Sequence, residues 1–170
     1  MAATSMITIK GASPRHRERV TEIVEATGIF RPDEAVIALE VFDAAVGEPG
    51  VDYTALGAFD EDGLMVGFAC FGPTPCTVNT WDLYWIAVDP GGHRQGVGRK
   101  LMDACEGRIA AAQGRLIVVE TSSRTDYGPT RAFYEALGYS AAARVPGFYA
   151  DGDDMVVYTK RLGTQAKATL

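Results

Sequence analysis

Cysteine is scarce: three residues among 170 (Cys70, Cys76 and Cys105), with no Cys-x-x-Cys pair. An odd, scattered set argues against a disulfide framework or a structural zinc site, and it suits a reducing cytoplasm. Long apolar runs are missing as well; none approaches the ~20 residues that a membrane-spanning helix needs. Met1 to Lys10 lacks a basic segment leading into an apolar core, so no secretory signal is expected. Positive charge is in short supply, with 16 Lys and Arg against 22 Asp and Glu. Nucleic-acid binding needs a broad positive face and is disfavoured on this ground. Internal repeats and low-complexity tracts are absent.

What remains is the composition of a soluble globular protein, 47% hydrophobic and 22% charged. The length suits one domain with a real core, expected over 1–162 with a frayed tail at 163–170. Charge is uneven along it. Residues 1–89 carry five Lys/Arg against fourteen Asp/Glu, and residues 90–131 carry seven against four. The basic segment suits a single small polyanion; scattered solvated charges are the alternative.

Hydrophobic spacing predicts an α/β domain. Met6–Lys10 alternates as a strand. Ser13-Pro14 opens a helix with Val20, Ile23 and Val24 on one face, and Gly28 stops it. A second helix runs from Pro32 to near Gly47, with Val36, Ile37, Leu39, Val41 and Phe42 as its expected apolar face. Three strands follow, at 53–59, 64–71 and 77–88, the first two joined by a hairpin turn at Asp60–Gly63. Trp81–Val88 is apolar on both faces and reads as a strand buried on both sides in mid-sheet. A glycine-rich loop leads into a helix from Val97 to about Gln113, with Val97, Leu101, Ala104, Cys105, Ile109 and Ala112 on one face. Gly114 stops it and Leu116–Val119 is the next strand, which implies a right-handed parallel crossover. A helix from about Pro129 to Gly138 and two last strands, 139–149 and 155–162, complete the chain. The acidic turn Asp151–Asp154 joins those two strands.

Two segments carry chemistry. The loop Val88-Asp-Pro-Gly-Gly-His-Arg-Gln-Gly-Val-Gly-Arg-Lys100 frees backbone N–H groups at a helix start, with Arg94, Arg99 and Lys100 around them. That is an anion site or a packing turn. It closes with no Gly-Lys-Ser/Thr and has no third glycine, so it is neither a Walker loop nor a dinucleotide fingerprint. Tyr127-Gly-Pro-Thr-Arg-Ala-Phe-Tyr-Glu-Ala-Leu-Gly-Tyr139 places Thr130, Phe133, Tyr134 and Leu137 on one side of a short helix. Core aromatics are the alternative there. His16-Arg-Glu18 with Pro75-Cys76 lacks the second cysteine of a zinc deaminase, and Asp151–Asp154 lacks the rest of a calcium loop. No metal is expected.

In this order the two segments resemble the GCN5-related N-acetyltransferase (GNAT) family, and the element order is similar over nearly the whole chain. The family fold is a mixed, mostly antiparallel sheet of about seven strands with about four helices. The family loop Gln/Arg-x-x-Gly-x-Gly/Ala, whose amides hold the pyrophosphate of acetyl-coenzyme A, corresponds to His93-Arg-Gln-Gly-Val-Gly98, with histidine at its first position. Tyr127 stands where the family often has Asn, and Phe-Tyr-x-x-Leu-Gly-Tyr is intact. The resemblance implies an acetyl-CoA-dependent transferase acting on a small primary amine, an amino acid or a polyamine-like compound, by direct attack in a ternary complex. It assigns the cofactor to Ile86, Ala87, Val88, His93, Arg94, Gln95, Gly96, Val97, Gly98 and Arg99, and to Tyr127, Thr130 and Phe133. Tyr134 becomes the acid for the departing thiolate, a role a phenol with a pKa near ~10 can fill.

Asp82 and Glu120, carboxylates on the two central strands, are the candidate bases; hydrogen-bonded strand-end carboxylates are the alternative reading. Arg124 is a candidate partner for an acceptor carboxylate. A non-catalytic acyl-CoA sensor and a protein N-acetyltransferase are the alternative functions. A homodimer is left open.

Overall fold

The computed structural model of the protein describes residues 6–91 and 96–163. His93, Arg94 and Gln95 of the expected cofactor loop, and 164–170 of the expected tail, lie outside the described residues. Among the described residues seven strands, numbered along the chain, form one sheet in the order β1-β2-β3-β4-β5-β7-β6, with four α-helices. Pairings β1–β2, β2–β3, β5–β7 and β6–β7 are antiparallel, so the mixed, mostly antiparallel α/β expectation holds. The chain divides into two compact units, Met1–Gly72 with Leu83–Gly107, and Pro73–Asp82 with Arg108–Leu170.

The first unit holds β1 (Thr8–Gly11), α1 (Arg17–Thr27), α2 (Pro32–Gly47), β2 (Thr54–Phe59), β3 (Met65–Pro73, up to Gly72), the later part of β4 (Thr80–Val88) and most of α3 (Val97–Ala111). α1 buries the expected Val20, Ile23 and Val24 and ends at Gly28 with φ +66°. In α2 the Glu34 carboxylate accepts the Arg31 N–H at 2.6 Å, capping a helix start that Pro32 favours. Its buried stripe is Ala38, Phe42, Ala45 and Val46. The expected face was partly wrong: Val36 and Ile37 are 55% and 49% exposed. Helical period selects positions four and seven to eight apart, and that stripe includes two alanines which carry little hydrophobic weight in sequence. Phe42 meets Phe68 edge-on at 6.0 Å in the core.

The hairpin turn forms as expected. Asp60 Oδ1 accepts the N–H groups of Asp62 and Leu64, and Gly63 takes φ +80°. At Gly72 the strand passes so close to the β2 approach that a Cβ would lie 2.0 Å from the Asp52 carbonyl oxygen. Gly72→Ala is therefore expected to cost ~2–3 kcal/mol and to lower the thermal midpoint by roughly 5–10 °C. A melt unchanged from wild type would contradict this packing.

The second unit holds the start of β4, the end of α3, β5 (Leu116–Ser122), α4 (Gly128–Ala136), β6 (Ser140–Ala150) and β7 (Asp153–Arg161). α3 buries Met102 in place of the expected Ala112, which is exposed. Its left-handed stop is Gln113, at φ +63°. Gly114 serves close approach, since a Cβ there would fall 2.2 Å from Ile109 Cγ2. The Asp151–Asp154 segment is more than a solvated turn. Asp153 is buried and accepts the Ser122 hydroxyl at 2.5 Å. Asp154 accepts Gly147 N–H at 2.7 Å and Arg144 Nε at 2.6 Å, and these bonds hold its carboxyl below the usual range.

Candidate active site

In the first unit the end of β4 leads into the glycine-rich loop. Asp89 anchors its start: the backbone N–H donates to Val66 O at 2.9 Å, one carboxylate oxygen accepts Gly91 N–H at 2.8 Å, and the other pairs with Arg19. Gly96 then takes φ +72°, a conformation that favours glycine, with open space around it. α3 begins at Val97, which is buried, while Gly98 is half-buried and Arg99 and Lys100 are exposed. Gly67 lets this first turn lie close to β3, since a Cβ there would come within 3.2 Å of Val97 and Leu101 side chains.

The first turn of α3 contains no acid. Helix starts favour negative side chains, so cations at this end run against the dipole unless an anion is the intended occupant. Ala87 on the preceding strand is buried, and Ile86 and Val88 are half-buried.

β4 corrects one expectation. It is central in the strand order, yet only Thr80, Leu83 and Ala87 along it are buried. Its aromatics stand half-open: Tyr84 lies edge-on to Tyr53 at 5.0 Å, and Trp85 tilts against Phe30 at 5.1 Å.

In the second unit Asp82 and Glu120 come within electrostatic reach of one another. Asp82 Oδ2 accepts the Thr74 hydroxyl at 2.7 Å. Glu120 is the exposed member of an otherwise largely covered β5. Partial burial of its carboxyl, and then repulsion from Asp82, push its pKa above the ordinary carboxylate range. A raised carboxylate can hold or release a proton nearer to neutral pH. Thr74 was not legible as a site residue, because it stands in a Gly-Pro-Thr-Pro stretch that reads only as a loop.

α4 opens from a 3-10 turn at Thr125–Tyr127. Tyr134 is buried at 4% exposure and packs with Phe133, Tyr139 and Tyr158 at ring distances of 5.5–6.0 Å. Thr130 and Phe133 are half-buried. Tyr127 is buried beneath the Arg124 guanidinium, 4.9 Å from its ring centre. Arg124 also grips both oxygens of Asp126 at 3.1 Å. Its charge is thus engaged locally, which removes the reason for assigning it to an acceptor carboxylate. The Tyr158 hydroxyl donates to Glu135 at 2.9 Å, a pairing that sequence reading missed because the two lie 23 positions apart.

Among the described residues no group of three or more His, Cys, Asp and Glu is placed to hold a metal. His16 instead accepts the Ser13 N–H at 3.0 Å and tilts against Phe59. No described helix is long and apolar enough to cross a membrane.

The sequence model of the acetyltransferase (GNAT) domain matches residues 53–141. A GNAT-family protein of Desulfovibrio desulfuricans is 38% identical, with 93% of this chain and 100% of that one aligned at a TM-score of 0.87. At 20% identity the fold alone is shared with two others. The ribosomal-protein-S18-alanine N-acetyltransferase of Escherichia coli covers 97% of this chain and 99% of its own at 0.74. The yncA protein of Salmonella typhimurium, solved with its cofactor acetyl-CoA, covers the same shares at 0.73. No curated protein matches the sequence. Spanning half the chain by the domain match and nearly all of it by the Desulfovibrio relative, the resemblance of loop and helix becomes an assignment: the chain belongs to the GNAT acetyltransferase family.

Proposed function

We propose that the protein is an acetyl-CoA-dependent N-acetyltransferase acting on a small primary amine, without an acyl-enzyme. The observation that carries this reading is the start of α3: a left-handed glycine in open space, then a first helical turn with two exposed cations and no acid. That is a site for a pyrophosphate. The Salmonella relative of the same fold holds acetyl-CoA, which supports that ligand here.

The chemistry divides among the residues by need. Backbone groups of Ile86–Val88 bind the pantetheine arm as an added strand, and an N–H among them stabilises the oxyanion as the amine attacks the thioester carbonyl. Glu120, with its raised pKa, takes the proton that the ammonium must lose. Asp82 supplies the neighbouring charge that helps to raise it. The C–S bond breaks as Tyr134 gives its phenolic proton to the leaving thiolate, and the second proton shed by the acetylated nitrogen restores the phenol. His93, Arg94 and Gln95 complete the anion loop in this reading, and Tyr127, Thr130 and Phe133 line the thiol-bearing arm.

Thermal unfolding with acetyl-CoA tests the reading first. A ligand at a hundred times its dissociation constant adds ~2.7 kcal/mol, and a rise of roughly 5–10 °C is expected for a chain of this size. No shift together with no calorimetric heat would remove the cofactor site. A shift without thiol release across a panel of cationic amines and amino acids would favour a sensor over an enzyme.

A further inference from the structure

A cavity of about 450 Å³ in the second unit takes no part in the reaction proposed above. That volume is in the usual range for small-molecule sites. Its walls come from Ser123 after β5, Arg131 on α4, the start of β6, and Val156 and Tyr158 on β7. β6 makes room for it in a specific way. Ala141 pairs with Tyr158 and Ala143 with Val157, so Ala142 is an extra residue in the ladder. At such a bulge strict alternation fails, and three successive small side chains, Ala141–Ala143, line the same space.

Arg131 brings charge to this apolar floor. Its Nη1 donates to the carbonyls of Ser122 at 2.7 Å and Arg124 at 2.9 Å, which fixes the guanidinium plane. Its Nε and Nη2 have no acceptor among the described residues, and no described carboxylate pairs with it. The nearby acids are occupied. Glu135 receives the Tyr158 hydroxyl, and Asp154 receives Arg144 and Gly147. The Ser123 hydroxyl accepts the Asp154 N–H at 2.8 Å and keeps its own proton to donate. Arg144, also on the wall, is paired with Asp154, which leaves Arg131 as the charge that faces the cavity without a carboxylate among the described residues.

A guanidinium edge with two parallel N–H bonds fits a carboxylate in bidentate fashion. We propose that this cavity binds a small organic carboxylate, held by the Nε–Nη2 edge of Arg131, with its apolar part on Ala141–Ala143 and Val156. The site uses none of the residues assigned to acetyl transfer and does not depend on that assignment.

The test is an NMR titration of the arginine Nε–H signals with butyrate, using butyramide as the neutral isostere. A saturable shift of the Arg131 signal with butyrate alone is expected. Arg131→Gln should weaken butyrate binding by about 10–100-fold, the worth of a hydrogen bond to a charged group. Because Arg131 also ties two backbone carbonyls, Ala141→Leu provides a second arm: it fills the cavity, keeps the arginine, and should weaken binding to a similar degree. Equal shifts with butyramide, or unchanged binding in Ala141→Leu, would overturn the proposal. So would stoichiometric displacement of butyrate by coenzyme A, since the carboxylate would then occupy the cofactor's own site.

Discussion

Replacing Tyr134 by phenylalanine is expected to lower kcat by about 10²–10⁴-fold, the usual worth of a positioned general acid. Acetyl-CoA affinity should stay close to wild type. A phenol with an ordinary pKa near ~10 is protonated at neutral pH and can pass its proton to a thiolate whose parent pKa is near ~8.5. Phenylalanine keeps the ring that packs against Phe133, Tyr139 and Tyr158. The fold should therefore lose only the ~1 kcal/mol typical of one hydrogen bond. Steady-state kinetics with both substrates saturating, alongside calorimetry and a thermal melt, separates the roles. A purely structural Tyr134 would show a lower midpoint and full kcat per folded molecule. That result would remove it from the chemistry.

Much of this architecture was written in local pattern. The α1 face, the Asp60–Gly63 hairpin and the α3 start follow from apolar spacing, an Asx turn and a glycine before a helix, all of which depend on near neighbours. The failures came where distant partners decide. Val36 and Ile37 have the right chemistry for a core, but the small residues Ala38 and Ala45 set which side of α2 is covered. Trp81–Val88 reads as doubly buried because its residues are apolar, yet most of the strand is only half-covered. Hydrophobicity reports what a side chain tolerates, and the aromatic pairs of Tyr84 with Tyr53 and Trp85 with Phe30 show how such a strand is satisfied without full burial.

The candidate site divides in the same way. Asp82 and Glu120 stood out as carboxylates on inner strands, but their mutual repulsion depends on strand register. The Thr74 hydroxyl on Asp82, the Arg131 clamp and the Tyr158–Glu135 bond have no motif at all. Each joins residues of different elements, or of a strand and a loop, through one or two hydrogen bonds whose direction only the folded chain defines.

Glu120→Gln is the sharper test of the base, because activity and stability should move in opposite directions. As a base Glu120 must be ionised, so kcat falls as pH drops through its pKa. Partial burial and the Asp82 charge raise that pKa, so the acidic limb should lie above the ordinary glutamate value of ~4.3. Gln at 120 should lower kcat by about 10²–10³-fold and abolish this limb. Asp82→Asn should leave a limb but move it to lower pH, since one of the two raising causes is gone. For stability, a carboxyl with a raised folded pKa keeps its proton where the unfolded chain has lost it. Stability then falls as pH rises from the ordinary value through the raised one, and the cost persists above. Glu120→Gln should melt higher than wild type at neutral pH, and the gap should close in acid, where both side chains are neutral. A structural Glu120 that anchors the strand would lose stability on the same substitution. A variant that melts lower and keeps the acidic limb would therefore exclude Glu120 and move the search for the base to Asp82.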